Sequence, residues 1–191
     1  MNVNVLLFEE FDSLDVFGPV EMLQAIEGYE IHFFSMQGGP VCAYSGAVIE
    51  TDSVDQMDPE GILLIPGGKG TRTLVKDEIF LSFLKEAAVK SSNCLTVCTG
   101  SALLAETGLL DGKRAATNHN AFEWVKSCRK QVEWVYNARW IAEGKYYTSA
   151  GVSAGMDLAL AFIEDKFGLE KAMEIAKFME YHYCGEQYEE D

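Results

Sequence analysis

The sequence predicts an α/β fold in which a mostly parallel sheet is covered by helices on both faces. Short apolar runs rich in β-branched residues alternate with longer segments whose apolar residues follow helical spacing. Parallel neighbouring strands need crossovers of this kind. The chain has 191 residues and shows no internal repeat, linker or low-complexity segment, so we expect a single domain over residues 1–191.

Nine strands are predicted from short apolar runs with turn residues at their ends. They lie at residues 3–8, 29–36, 41–44, 48–51, 61–65, 95–97, 114–117, 138–142 and 146–149. The third and fourth are expected to form a hairpin around Ser45-Gly46, and the last two around Glu143-Gly144.

Six helices are predicted from apolar periodicity. They lie at residues 18–26, 78–89, 102–105, 121–128, 152–167 and 169–183. The first is expected to begin at Gly18-Pro19, because proline suits the first turn of a helix. The second is amphipathic, with one apolar face directed at the core.

Composition limits the classes of partner. With 30 acidic and 15 basic residues the net charge is −15, which repels both nucleic acid and anionic lipid. The first ten residues lack the basic start of a signal peptide, and no apolar run is long enough to span a bilayer. Five cysteines without a secretory signal favour a cytoplasmic location with reduced thiols. The acidic tail, residues 186–191, is interpreted as a solvated end.

Cys98 is the most informative residue, because it stands between a predicted strand and a predicted helix. A tight strand-to-helix turn lifts a side chain out of the sheet, and the free N–H groups of the helix favour a thiolate. Two alternatives are a buried structural cysteine and an oxidation-sensitive thiol. The cysteine spacing matches no zinc motif.

Two further segments are expected beside Cys98, because the carboxyl ends of parallel strands meet at one edge of a sheet. One is residues 8–15, and the other is the glycine-rich stretch 66–70. The second segment lacks the Lys-Ser/Thr ending of a P-loop, so Gly67 and Gly68 are interpreted as allowing a close backbone approach. No cofactor is implied.

Four segments in order carry a family resemblance. They are residues 14–21 (LDVFGPVE), 64–68 (LIPGG), 98–112 (CTGSALLAETGLLDG) and 148–157 (TSAGVSAGMD). Together they resemble the DJ-1/PfpI superfamily, and in particular its branch of isocyanide hydratases and sensor domains of AraC-type regulators. The resemblance covers almost the whole chain and implies a flavodoxin-like three-layer sandwich, usually a homodimer.

The resemblance also implies roles for individual residues. Cys98 matches the nucleophile, Asp15 the aspartate facing it in isocyanide hydratases, and Thr99 the threonine that follows it. Backbone N–H groups near Gly68 and Thr99 match the oxyanion donors. Protease-like and many glyoxalase-like relatives have histidine directly after the cysteine, so Thr99 argues against their chemistry.

Other site residues keep a second interpretation beside the functional one. Asp15 is either an acid with a raised pKa or an N-cap before Gly18-Pro19, with Asp12 as its competitor. His119 is either a base for Cys98 or a packing residue. Gly67 and Gly151 are assigned to the binding surface, and no metal is expected.

Branch members usually show Thr-Thr-His-Trp where this chain has Thr117-Asn118-His119-Asn120, so the wall of the site is expected to differ from theirs. The resulting hypothesis is a cofactor-independent, cysteine-dependent hydratase of a small electrophilic compound, converting an isocyanide to an N-formamide. One alternative is a redox or small-molecule sensor acting through a partner. Another is the amidase, peptidase or glyoxalase activity of wider relatives.

Overall fold

Ten strands and seven helices alternate in a computed structural model that describes residues 1–183, 185 and 187. The strands are Asn2–Leu6 (β1), Glu30–Ser35 (β2), Gly39–Cys42 (β3), Val48–Ser53 (β4), Ile62–Ile65 (β5), Cys94–Thr96 (β6), Arg114–Ala115 (β7), Glu133–Trp134 (β8), Trp140–Glu143 (β9) and Tyr146–Ser149 (β10). The helices are Ser13–Leu23 (α1), Thr71–Leu74 (α2), Glu78–Lys90 (α3), Gly100–Glu106 (α4), Phe122–Cys128 (α5), Ala154–Phe167 (α6) and Leu169–Phe178 (α7). Short 3-10 turns occupy Val54–Gln56 and His119–Ala121.

Eight strands form one sheet in the order β3-β4-β2-β1-β5-β6-β10-β9. In this order, the neighbouring strands β4, β2, β1, β5, β6 and β10 pair in parallel. Strands β3 and β9 pair antiparallel with their neighbours at the two edges. Helices α1, α6 and α7 pack together, and α2, α3 and α5 pack around α4. The predicted three-layer, flavodoxin-like architecture with a mostly parallel sheet is therefore confirmed.

The sheet order determines where a site can form. Strand β1 pairs with β2 on one side and with β5 on the other, so the chain changes direction across the sheet at β1. A crevice opens at the carboxyl ends of strands at such a switch point. The segments after β1, β5 and β6 all end there.

The first helix begins earlier than predicted. It starts at Ser13 after an extended Asp12, so Pro19 lies inside the helix and the expectation of a start at Gly18-Pro19 is wrong. The buried side chains of Val16, Val20 and Leu23 explain the longer helix, because together they continue one apolar stripe. Asp15 thus lies in the first turn of α1 and is not its cap.

Three smaller differences concern element ends. Strand β7 covers two residues of the predicted 114–117, because it pairs with β8, a short strand that the sequence pattern did not reveal. Helix α7 ends at Phe178 and not at residue 183. The predicted acidic tail at 186–191 lies outside the described residues except for Gln187.

Across residues 1–183, no helix combines the length and apolar character required to cross a membrane.

Candidate functional site

Side chains from three chain segments meet at the switch point of the sheet. Asp15 enters from α1 after β1, Gly67 follows β5, and Cys98 follows β6. One ligand-type atom from each of Asp12, Asp15 and Cys98 lies within 4.8 Å of the others. The fold thus brings together the three segments that the sequence placed at strand ends.

Cys98 occupies a strained turn between β6 and α4. Its φ is 57°, in the left-handed region that residues with a side chain rarely adopt. Its N–H donates to Ala150 O at 3.2 Å. Its carbonyl accepts hydrogen bonds from Thr117 Oγ1 at 3.0 Å and from Ser101 Oγ at 2.9 Å. These bonds hold the elbow that the strand-to-helix pattern predicted.

Asp15 is fully buried beside this elbow. Its Oδ2 accepts a hydrogen bond from the Gly67 N–H at 3.0 Å. Desolvation, followed by the nearby Asp12 charge, raises the pKa of the Asp15 carboxyl to about 7. The Cys98 thiol and the Val152 N–H favour its charged form, yet within the described structure neither makes a well-formed hydrogen bond to the buried Oδ1.

The thiol of Cys98 is held in its protonated form. Burial, and then the charge of Asp15, raise the pKa of Cys98 to about 12. The Thr99 N–H and the Asn118 side chain act in the opposite direction without reversing the shift. The direction is therefore opposite to the one predicted from the helix start. The charge of Asp15 thus disfavours the thiolate, whereas the neutral thiol favours the charged form of Asp15.

The glycines after β5 allow the backbone to approach both groups. A Cβ on Gly67 would lie 2.7 Å from Thr99 N and 2.8 Å from Cys98 Cβ, closer than real side chains pack. Gly68 has a φ of 134°, and its N–H donates to Thr99 Oγ1 at 3.1 Å. Both glycine N–H groups thus have protein acceptors, and the predicted oxyanion role of Gly67, Gly68 and Thr99 stays a prediction.

A cavity of about 400 Å³ opens above the sulfur. Its lining comprises Asp12, Tyr44, Gly68, Lys69, Arg72, Cys98, Thr99, Asn118, Asn120 and Ala121. Asn118 and Asn120 are the positions where the sequence departs from its relatives, and both contribute to this wall. The sequence analysis missed Arg72, which follows the glycine-rich stretch 66–70 by two residues and was detectable as the first cation after that stretch.

His119 and Gly151 face a neighbouring cavity of about 200 Å³ and do not line the cavity above Cys98. The His119 ring stacks on Tyr136 with 4.9 Å between ring centroids. A side chain on Gly151 would collide with the Asn118 amide, so this glycine allows Asn118 to sit against the backbone. The binding roles predicted for His119 and Gly151 stay predictions.

Asp12, Asp15 and Cys98 are also the described residues best placed to hold a metal ion. Two carboxyls and a thiol suit a borderline cation. Burial nevertheless raises the pKa of all three groups, and proton binding competes with metal binding. The expectation that no metal or cofactor is needed stays a prediction.

The chain is similar in sequence to relatives of two kinds, an enzyme and a transcriptional regulator. The DJ-1/PfpI family model matches residues 1–165. The isonitrile hydratase of Pseudomonas putida is 29% identical over 182 residues, which are 95% of this chain and 78% of that relative. The HTH-type transcriptional regulator CdhR of Pseudomonas aeruginosa is 29% identical over 179 residues, and the match covers 90% of this chain but 52% of the regulator.

Among solved structures, the THiJ/PfpI family protein from Pseudomonas syringae has the same fold. It superposes with a TM-score of 0.84 at 24% identity, covering 94% of this chain and 74% of that one. The relatives therefore share an architecture and include both an enzyme and a regulator.

Proposed function

We propose a cysteine-dependent hydration reaction for this chain, which belongs to the DJ-1/PfpI family. The substrate is an isocyanide and the product an N-formamide. The observation that carries the proposal is the buried Asp15 carboxyl beside the Cys98 thiol, with its pKa raised to about 7. A carboxyl with such a pKa both gives and takes a proton near neutral pH. The 29% identity to an isonitrile hydratase supports the same chemistry.

In the first step the Asp15–Cys98 pair supplies both a nucleophile and a proton. The thiol proton passes to Asp15, and the sulfur attacks the isocyanide carbon, forming the C–S bond. That carbon then takes the proton held by Asp15. The product is a thioimidate, in which the carbon carries hydrogen and sulfur and is doubly bonded to nitrogen.

In the second step water adds to the thioimidate carbon. The Asp15 carboxylate takes a proton from the water as the new C–O bond forms and passes that proton to the nitrogen, which gives a tetrahedral intermediate with a C–OH group. Collapse of this intermediate forms the C=O bond and breaks the C–S bond, and the hydroxyl proton passes through Asp15 to the departing Cys98 sulfur. The sum is isocyanide plus water giving the N-formamide, with the protein returned unchanged.

We predict that Cys98→Ala abolishes conversion of phenyl isocyanide to formanilide, because no C–S bond can form. Asp15→Asn should lower kcat by about 10²–10⁴-fold, the usual contribution of a general acid–base group. Chromatographic quantification of formanilide gives the rates. Cys94→Ala is the matched control, since Cys94 is buried in β6 but lies outside the cavity.

Full turnover by Cys98→Ala would contradict the proposal. Turnover by wild type that survives in Asp15→Asn would leave Cys98 as the nucleophile and remove Asp15 from the mechanism. No turnover by wild type would favour the second candidate, a sensor domain. The specific observation behind that candidate is the similarity to a transcriptional regulator over about half of the regulator's length.

We further propose that residues 1–191 act as one domain, in the cytoplasm and as a homodimer, with a small molecule as substrate. The family resemblance supports the dimer, and the described cysteines form no disulfide with one another, which suits a cytoplasmic thiol enzyme. Sedimentation equilibrium tests the assembly, because one chain has a mass of 21.2 kDa. A species of that mass at micromolar concentration would rule out a stable dimer.

A further inference from the structure

Arg72 lines the same cavity as Cys98. It lies on α2, directly after the glycine turn that approaches Asp15 and Cys98. Its guanidinium carbon lies 3.3 Å from the centroid of the Trp124 ring on α5. This stacking restrains a side chain that would otherwise have many rotamers, and it leaves the N–H groups at the edge of the guanidinium available to a ligand.

Arg72 differs from the other arginines in its charge partners. The chain has four arginines, all among the described residues. Arg114 pairs with Glu143, Arg129 with Asp111, and Arg139 with Asp157. Within residues 1–183, Arg72 makes no ion pair with an acidic side chain, although acids outnumber bases two to one in the sequence. Among the described residues, the guanidinium at the cavity is thus the arginine charge that no acidic side chain pairs with.

Acidic and basic side chains occupy different parts of the cavity. The acids Asp12 and Asp15 cluster within 4.8 Å of the Cys98 sulfur. Lys69 at the rim is neutralised by Glu10, with Nζ and Oε1 3.2 Å apart. Arg72 is held instead on the Trp124 ring. Of the two cations among the described residues that line the cavity, Arg72 is therefore the one without an acidic partner, and a ligand whose reacting carbon meets the sulfur can contact it.

We propose that the site takes an isocyanide carrying a carboxylate, and that Arg72 is the specificity-determining residue that binds this carboxylate. The inference rests on the proposed hydratase function for the reacting group, but the carboxylate contact depends only on the cavity. A planar guanidinium presents parallel N–H donors that match the two oxygens of a carboxylate. The cavity of about 400 Å³ accommodates a small aromatic or aliphatic acid of this kind.

The test measures binding of reaction products, which needs no turnover. Isothermal titration calorimetry at 0.15 M salt compares 4-formamidobenzoate with neutral formanilide on the intact chain. We expect wild type to bind the carboxylate probe at least tenfold more tightly, and Arg72→Gln to remove that preference while leaving formanilide binding within about twofold. Arg114→Gln is the matched control, because Arg114 is ion-paired and lies outside the cavity lining.

Three results would overturn the inference: equal binding of both probes by wild type, equal weakening of both by Arg72→Gln, or the same loss of preference in Arg114→Gln. The outcomes separate the two proposals. Arg72-dependent carboxylate binding without isocyanide turnover would refute the hydratase function alone. Turnover of phenyl isocyanide without a carboxylate preference would refute the role of Arg72 alone.

Discussion

The burial of the Asp15 carboxyl makes the stability of the protein depend on pH. The folded protein favours its neutral form, because burial raises its pKa from 3.8 to about 7. Below the unfolded-state pKa both states hold the proton, and the folded state keeps its full stability. As the pH rises from the unfolded-state pKa through the folded-state pKa, the unfolded chain releases its proton at little cost, whereas the folded protein must accept a buried charge. The free energy of unfolding therefore falls.

We therefore predict that Asp15→Asn stabilises the protein at pH 8, by up to about 4 kcal/mol, with the gain shrinking toward zero near pH 4. Asparagine retains an acceptor for the Gly67 N–H. Urea unfolding of both proteins from pH 4 to pH 8 measures the difference. Asp111→Asn is the control with the opposite sign, because Arg129 lowers the pKa of Asp111. A pH-independent difference for Asp15→Asn would refute the burial of an ionisable group at this position.

The elbow at Cys98 and the raised pKa of Asp15 were predictable from sequence, but the protonation state of the thiol was not. The strand-to-helix pattern around Cys98 indicated the elbow, and the apolar neighbours of Asp15 indicated a raised pKa; the structure agrees on both. The predicted thiolate is reversed, because burial and the Asp15 charge act more strongly on the sulfur than the Thr99 N–H does. Such a balance depends on distances between segments 80 residues apart in the chain.

At the scale of elements, the turn between β5 and α2 connects the site to the fold. Thr71 is fully buried at the start of α2. Its Oγ1 donates to Gly68 O at 2.7 Å and lies 3.1 Å from Thr99 Oγ1. The hydroxyl thus fastens the glycine turn to the residue that follows Cys98. No sequence motif marked Thr71, because its partners come from two different strand ends.

We predict that Thr71→Val lowers the free energy of unfolding by about 1–2 kcal/mol, because the buried Gly68 carbonyl loses its side-chain donor at nearly constant volume. Isocyanide turnover should fall as well, since the turn that positions Gly67 is loosened. Chemical denaturation and the formanilide assay give the two values. Thr73→Val, an exposed threonine on the same helix, should change neither. Equal effects of the two substitutions would show that the buried hydrogen bond of the Thr71 hydroxyl does not stabilise the turn.

Helix α1 shows why element ends resist prediction. Proline at residue 19 suggested a helix start, yet the helix already runs from Ser13. A proline inside a helix removes one hydrogen bond, here the one to the Asp15 carbonyl. Packing outweighs this loss, because Gly18 lets α6 approach so closely that a Cβ there would lie 2.9 Å from Met156 Cγ. Tertiary contacts of this kind are invisible in a local pattern.

At the scale of the whole molecule, one buried ion pair joins an edge of the sheet to the helical layer. Arg139, next to β9, pairs with Asp157 on α6, and Tyr181 after α7 donates to Asp157 Oδ1 at 3.0 Å. The Asp157 side chain is 5% exposed, so its charge depends on these partners for compensation. The network lies outside the cavity lining and connects β9, α6 and the segment after α7.

We predict that Asp157→Ala destabilises the protein by about 3 kcal/mol, because it removes the buried carboxylate to which both Arg139 and Tyr181 bind. Asp111→Ala breaks an arginine pair of similar geometry with a side chain 36% exposed, so its loss should be much smaller. Urea unfolding of both variants measures the contrast. Equal losses would mean that burial does not distinguish the two pairs.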